Sequence, residues 1–126
     1  MKVEVFPIKL PIVKTGDDLA ELICSRFELE NGDVVAVCST VISKVEGRVA
    51  RLEDYKPSKK AVEIAEKLGE DARFVQAVLD ESEEILIDYP FLLVKAKFGN
   101  ICVNAGIDKS NIEKGYILLP PENPDK

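Results

Sequence analysis

Within residues 98–111, FGNICVNAGIDKSN, the amide of Asn104 and the carboxylate of Asp108 flank Gly106. The stretch opens as a hairpin, with Gly99-Asn100 as the turn and Ile101-Cys102-Val103 as the returning strand, and then breaks at Asn104-Ala105-Gly106-Ile107-Asp108. Asp108 and Asn111 lie close enough in sequence to offer a carboxylate and an amide to one ligand. A carboxylate at a strand end suits Mg²⁺ or Mn²⁺, which take few protein oxygens and fill their remaining positions with water and phosphate. The same residues serve equally as a capped turn in which Asp108 or Asn111 bonds its own backbone.

A second group is Ser39-Thr40, placed where an apolar run hands over to a helical pattern, with Lys44 about one turn further on. Free backbone N–H groups, two hydroxyls and the positive end of a helix dipole converge there in a way that suits an anion. The alternative is a plain helix cap beside a solvated lysine. No G-x-x-x-x-G-K-[ST] or G-x-G-x-x-G run is present. Leu10-Pro11-Ile12-Val13 forms a proline-stiffened apolar ledge that can sandwich a flat ring or act as a buried crossover. The acids Glu81, Glu83 and Glu84 read as a solvated helix end with no chemistry assigned.

Composition narrows what these groups can serve. The 126 residues are 46% hydrophobic, with three Tyr, five Phe and no Trp, which describes a single domain with an aliphatic core. Asp plus Glu number 23 against 17 Lys plus Arg, a net charge of −6 with no basic tract, so nucleic acid is not an expected partner. Neither a signal h-region nor a membrane span is visible, and the expected location is cytoplasmic. Histidine is absent and the three cysteines are widely separated, so a zinc site and disulfides are not expected; reduced, buried thiols are.

The elements that must position these groups follow from periodicity and punctuation. Val3, Val5 and Ile8 suggest an opening strand, and Thr15 to Asp18 cap a helix carrying Leu19, Leu22, Ile23 and Phe27. Val34 to Cys38 is apolar throughout, as in a strand covered on both faces. A helix from Ser39 to Gly47 follows, then a short strand within 48–52, and a helical hairpin opened by Ser58 and Asp71 with Gly69 between. Strands are expected at 85–87, 91–94, 101–103 and 117–119. The fold class is α/β in the mixed, α+β sense: a mixed sheet with flanking helices over residues 1–119, and a proline-rich linker at 120–126.

The runs VEVFPI, LPIVKTGDDLAELI, GDVVAVCSTVISKVEGRVARLEDY, FVQAVLDESEEIL and FLLVKAKFGNICVNAGIDKSN resemble the N-terminal half of the archaeal coenzyme F420-0:L-glutamate ligases, the gamma-glutamyl ligases that finish a deazaflavin coenzyme. The resemblance implies a ligase using GTP, Mg²⁺ or Mn²⁺, and K⁺, with L-glutamate and F420-0 as its other substrates. In such enzymes a carboxylate of the coenzyme precursor is phosphorylated, and the glutamate amine then attacks the acyl phosphate. By position, Leu10, Pro11, Ile12 and Val13 correspond to a nucleotide-contacting segment, Ser39 and Thr40 to a hydroxyl pair, Lys44 to a basic contact, Asn111 to a further GTP contact and Asp108 to a metal ligand. The family's chains are about twice as long, form homodimers, and complete the metal site from their second half. This chain is therefore expected to hold an incomplete, inactive half-site. The alternative expectation is a non-catalytic binding or assembly module that has kept the fold.

Overall fold

The computed structural model describes residues 1–125. In chain order the elements are α1 (Leu19–Cys24), α2 (Ser39–Val45), β1 (Val49–Arg51), α3 (Lys59–Leu68), α4 (Ala72–Asp80), β2 (Ser82–Ile87), β3 (Leu93–Ala96), β4 (Ile101–Val103) and β5 (Tyr116–Leu118). Short 3₁₀ turns occupy Leu52–Asp54 and Asn104–Gly106. Helices and strands are interspersed in an α+β arrangement, as the sequence implies. The strands form two separate antiparallel sheets, β1-β5 and β2-β3-β4, with no parallel pair among the described residues.

The helical hairpin owes its definition to its caps. Ser58 accepts a hydrogen bond from the Ala61 amide at 3.2 Å, and Asp71 accepts one from the Arg73 amide at 2.8 Å, so each helix starts with an otherwise orphan donor satisfied. Ala61, Ile64 and Ala65 of α3 face Phe74, Val75 and Val78 of α4, all nearly or fully buried, and the cluster continues into Leu92, Val94 and Ile117. Full burial of each larger aliphatic or aromatic side chain there contributes about 1.5–3 kcal/mol. The β3–β4 hairpin pairs Leu93 with Val103 and Lys95 with Ile101, and the Asn104 amide extends it by donating to the Leu92 carbonyl at 2.8 Å.

The N-terminal third departs from expectation. No strand forms over Val3 to Ile8 or over Val34 to Cys38, and the apolar side chains expected to be covered on both faces stand in solvent. An apolar run becomes a strand only when another strand offers its edge, and among the described residues none does. Helix α1 does form, capped by Asp18, with Ile23 buried and the Phe27 ring 5.5 Å from that of Phe6. The expectation of buried thiols also fails: Cys24 and Cys38 are exposed and Cys102 is half-buried. Cys24 faces outward on α1 and Cys38 ends the uncovered run. At the other end Pro120 and Pro121, the start of the expected linker, are buried, and the Pro120 carbonyl accepts from the Arg48 guanidinium at 2.9 Å. The linker's last residue, Lys126, lies outside the described residues.

Gly69 ends α3 with φ 67°, the left-handed conformation, and a Cβ placed there would touch nothing within 4 Å. Gly69→Ala gains no contact and strains the backbone, so unfolding in urea should show a loss of about 1 kcal/mol.

Candidate functional site: a cleft over the β1–β5 ribbon

Strand β5 joins the backbone that follows α2 to the backbone at Asp108. On one side it pairs with β1, Val49 opposite Leu118, and the ladder is lengthened by Leu52 donating to Gly115 and Leu119 to Arg48. On the other side Leu118 exchanges two hydrogen bonds with Asp108, N to O at 2.7 Å and O to N at 3.0 Å. One strand thus holds both the chain leaving α2 and the loop that begins at Asp108.

A cleft of about 270 Å³ opens over this ribbon, lined by Val13, Lys14, Thr15, Lys44, Val49, Ile112, Glu113 and Tyr116. Its wall at 13–15 is fastened to the end of α2: the Thr15 hydroxyl donates to the Lys44 carbonyl at 2.9 Å, and the Gly16 amide to that of Val45 at 2.9 Å. Gly47 permits the approach, because a Cβ at that position would lie 3.0 Å from the Thr15 methyl. In a chain of net charge −6, the cleft gathers two ammonium groups against one carboxylate.

Of the expected residues, Val13 and Lys44 line this cleft. Asn111 immediately precedes the lining residue Ile112, and Thr40 stands one turn before Lys44 on the same face of α2, roughly 6 Å along its axis. Ser39 is exposed at the first turn of α2, beside the N-cap Cys38, which makes no side-chain capping bond. Leu10 is half-buried, while Pro11 and Ile12 are exposed; of the ledge, only Val13 reaches the cleft. Lys14 and Tyr116 were not marked by the sequence, and Thr15 only as part of a helix cap. Nothing in their spacing shows that residues a hundred positions apart meet across a two-stranded ribbon.

The Asp108 loop is internally bonded. Oδ1 of Asp108 accepts from the Ser110 amide at 3.0 Å and its hydroxyl at 2.6 Å, while Oδ2 accepts from the Asn111 amide group at 2.6 Å. This is the capped turn of the second reading, and the Asn111 amide group is spent on the Asp108 carboxylate. Burial alone would raise the Asp108 pKa, but the hydrogen bonds from Ser110 and Asn111 outweigh it and hold the group below its ordinary value of 3.8. The carboxylate is therefore charged at neutral pH. The stability it contributes is complete above that ordinary value and is lost as pH falls through the depressed one. Lys109 tethers the loop to the helical hairpin, its ammonium 2.6 Å from Glu70 and 4.6 Å above the Phe74 ring.

The donor set fits a hard divalent cation in its chemistry. An ionised carboxylate offers about four lone-pair sites, and the bonds from Ser110 and Asn111 occupy three of them. One direction on Oδ2 is left for a single metal–oxygen bond, the use Mg²⁺ or Mn²⁺ makes of a lone aspartate. Among the described residues no three His, Cys, Asp or Glu side chains converge. Also among them, no helix is long and apolar enough to cross a membrane.

Beside the hydroxyl pair, the Cys38 Sγ lies 3.3 Å from the Thr40 hydroxyl. That hydrogen bond, followed by one from the Val41 amide, lowers the Cys38 pKa, whereas burial raises that of Cys102. Alkylation followed by mass spectrometry should find Cys38 reacting at lower pH than Cys102. Thr40→Val should move the Cys38 profile to higher pH and leave that of Cys102 in place.

Comparison with known proteins accords with the resemblance noted in the sequence. The family model for F420-0:Gamma-glutamyl ligase matches residues 7–126. A coenzyme F420:L-glutamate ligase of Archaeoglobus fulgidus is 68% identical over 126 residues, covering 99% of this chain and 51% of that protein. The protein of the same name from Methanosarcina barkeri is 52% identical, covering 99% of this chain and 49% of its own length. The chain thus spans about half the length of the curated relatives it matches. With nearly every residue inside the match, the chain belongs to the F420-0:gamma-glutamyl ligase family.

Proposed function

We propose that this chain supplies the nucleotide- and first metal-contacting half of a GTP-dependent ligase that joins L-glutamate to F420-0. The observation that carries the reading is the shared cleft, in which the 13–15 segment, Lys44 of α2 and the loop following Asp108 meet on one ribbon. Lys14 and Lys44 attract the phosphate oxygens of the nucleotide, and Thr40 adds a hydroxyl on the same helical face. Ser110 and Asn111 orient the Asp108 carboxylate through their hydrogen bonds. Bound Mg²⁺ or Mn²⁺ would neutralise phosphate oxyanions and so ease phosphoryl transfer.

The chemistry requires such charge control. A carboxylate is a poor acyl donor until one of its oxygens becomes part of a phosphate leaving group. GTP loses its terminal phosphoryl group to the F420-0 carboxylate, leaving GDP and an acyl phosphate. The glutamate amine then forms the amide bond, releasing inorganic phosphate and a proton. Gathered positive charge stabilises the oxyanions that develop in both steps. Val13 presents the apolar surface against which a base can rest, and Leu10, Pro11 and Ile12 lie outside that lining. K⁺ and the remaining metal ligands, together with a homodimeric assembly, belong to the complete enzyme in this reading.

Isothermal titration of the chain with GTP and Mn²⁺ tests the assignment. Lys44→Ala and Asp108→Ala should each weaken binding by roughly ten- to a hundredfold, the loss expected of one charge-assisted contact. Variants that fold normally and bind as the parent chain does would overturn it. A non-catalytic module with the same cleft would bind GTP yet, once completed by a relative's second half, produce no glutamylated F420.

A further inference from the structure

Two stretches of the N-terminal third leave both apolar side chains and backbone polar groups in water. Val34, Val35 and Val37 are 92%, 42% and 39% exposed, and Val3, Val5 and Phe6 are 74%, 87% and 58% exposed. Among the described residues, no backbone hydrogen bond involves positions 34–37 or 2–12. A solvated strand alternates apolar and polar residues, whereas Val34-Val35-Ala36-Val37-Cys38 is apolar at every position, the pattern of a strand with neighbours on both faces. Open N–H and C=O groups on such a run form a template for strand addition.

Charge and length identify the occupant. Glu28, Glu30 and Asp33 precede the run, and the chain as a whole carries −6, so a second copy would bring like charge against like. The relatives, by contrast, each contain about as much chain again outside the matched half. We propose that Val34–Cys38 is a strand-docking edge and that its occupant is a β-strand from a polypeptide equivalent to the relatives' unmatched half. Docking would convert the exposed run into an interior strand and set the N-terminal side of α2, with Ser39 and Thr40, on a fixed sheet. Exposure, bonding, charge and relative length are its grounds, and none of them involves the nucleotide. It therefore stands or falls apart from the nucleotide reading.

Hydrogen exchange followed by mass spectrometry tests it on this chain, on a chimera in which the unmatched half of the Archaeoglobus fulgidus relative follows Lys126, and on that full-length relative. Amides 34–38 should exchange freely in the chain alone and be slowed by roughly a hundredfold or more in the chimera. Val35→Asp should leave the urea midpoint of the chain alone unchanged and lower that of the chimera. Equally fast exchange at 34–38 in the chimera would overturn the proposal. So would protection of those amides in the chain alone accompanied by a dimer in sedimentation velocity, which would make a second copy the occupant. Should the chimera fail to fold, the aligned amides of the full-length relative decide between the same two results.

Discussion

Leu118 has a backbone neighbour on each side, Val49 in the ladder of β1 and Asp108 through two short hydrogen bonds. That double engagement is the constraint on which the candidate site depends. Without it, the loop from Asp108 to Glu113 and the segment leaving α2 would be separate surface features of a small domain. With it, groups nearly a hundred residues apart in sequence face one cleft. The backbone supplies the bonds, and of the three side chains that of Val49 lines the cleft while that of Leu118 is buried.

Around this ribbon the rest of the molecule divides by how its backbone is satisfied. The α3–α4 hairpin and the β2-β3-β4 sheet are closed structures, with caps, ladders and a common apolar core. Residues 1–38 are more open: Phe6 and Phe27 meet within the segment, and two hydrogen bonds fasten Thr15 and Gly16 to the end of α2. The cleft lies at the boundary of these regions, so one of its walls belongs to the less satisfied part of the chain. Local opening is governed by how many buried contacts and protected bonds a segment has, and here the wall at 13–15 has few.

The elements legible in the sequence were those whose instructions are local. Ser58 and Asp71 announce helices α3 and α4 through their own side chains, Gly69 announces a stop, and Gly99 turns a hairpin whose two strands are neighbours. Val34–Cys38 carries equally strong apolar chemistry, yet a strand needs an edge to pair with, and that information is not written within five residues. The site divides the same way. Asp108 and Asn111 attract notice as a short-range pair, and Lys44 through its place after two hydroxyls, whereas Lys14 and Tyr116 acquire meaning only once β1 and β5 are paired. Family resemblance pointed to residues 10–13 as a unit, and the structure separates Val13, in the cleft, from its exposed neighbours Pro11 and Ile12.

The turn ahead of Asp108 places Asn104, Ala105 and Gly106 at φ 53°, 51° and 72° in succession, with Ala105 fully enclosed. A left-handed backbone disfavours every side chain except glycine's by about 1–2 kcal/mol, and β-branched ones most of all. Enclosure, for its part, excludes bulk. Position 105 is therefore a narrow gate for natural variation: alanine or glycine can pass, and larger substitutes would be screened out before any effect on ligand chemistry came into play.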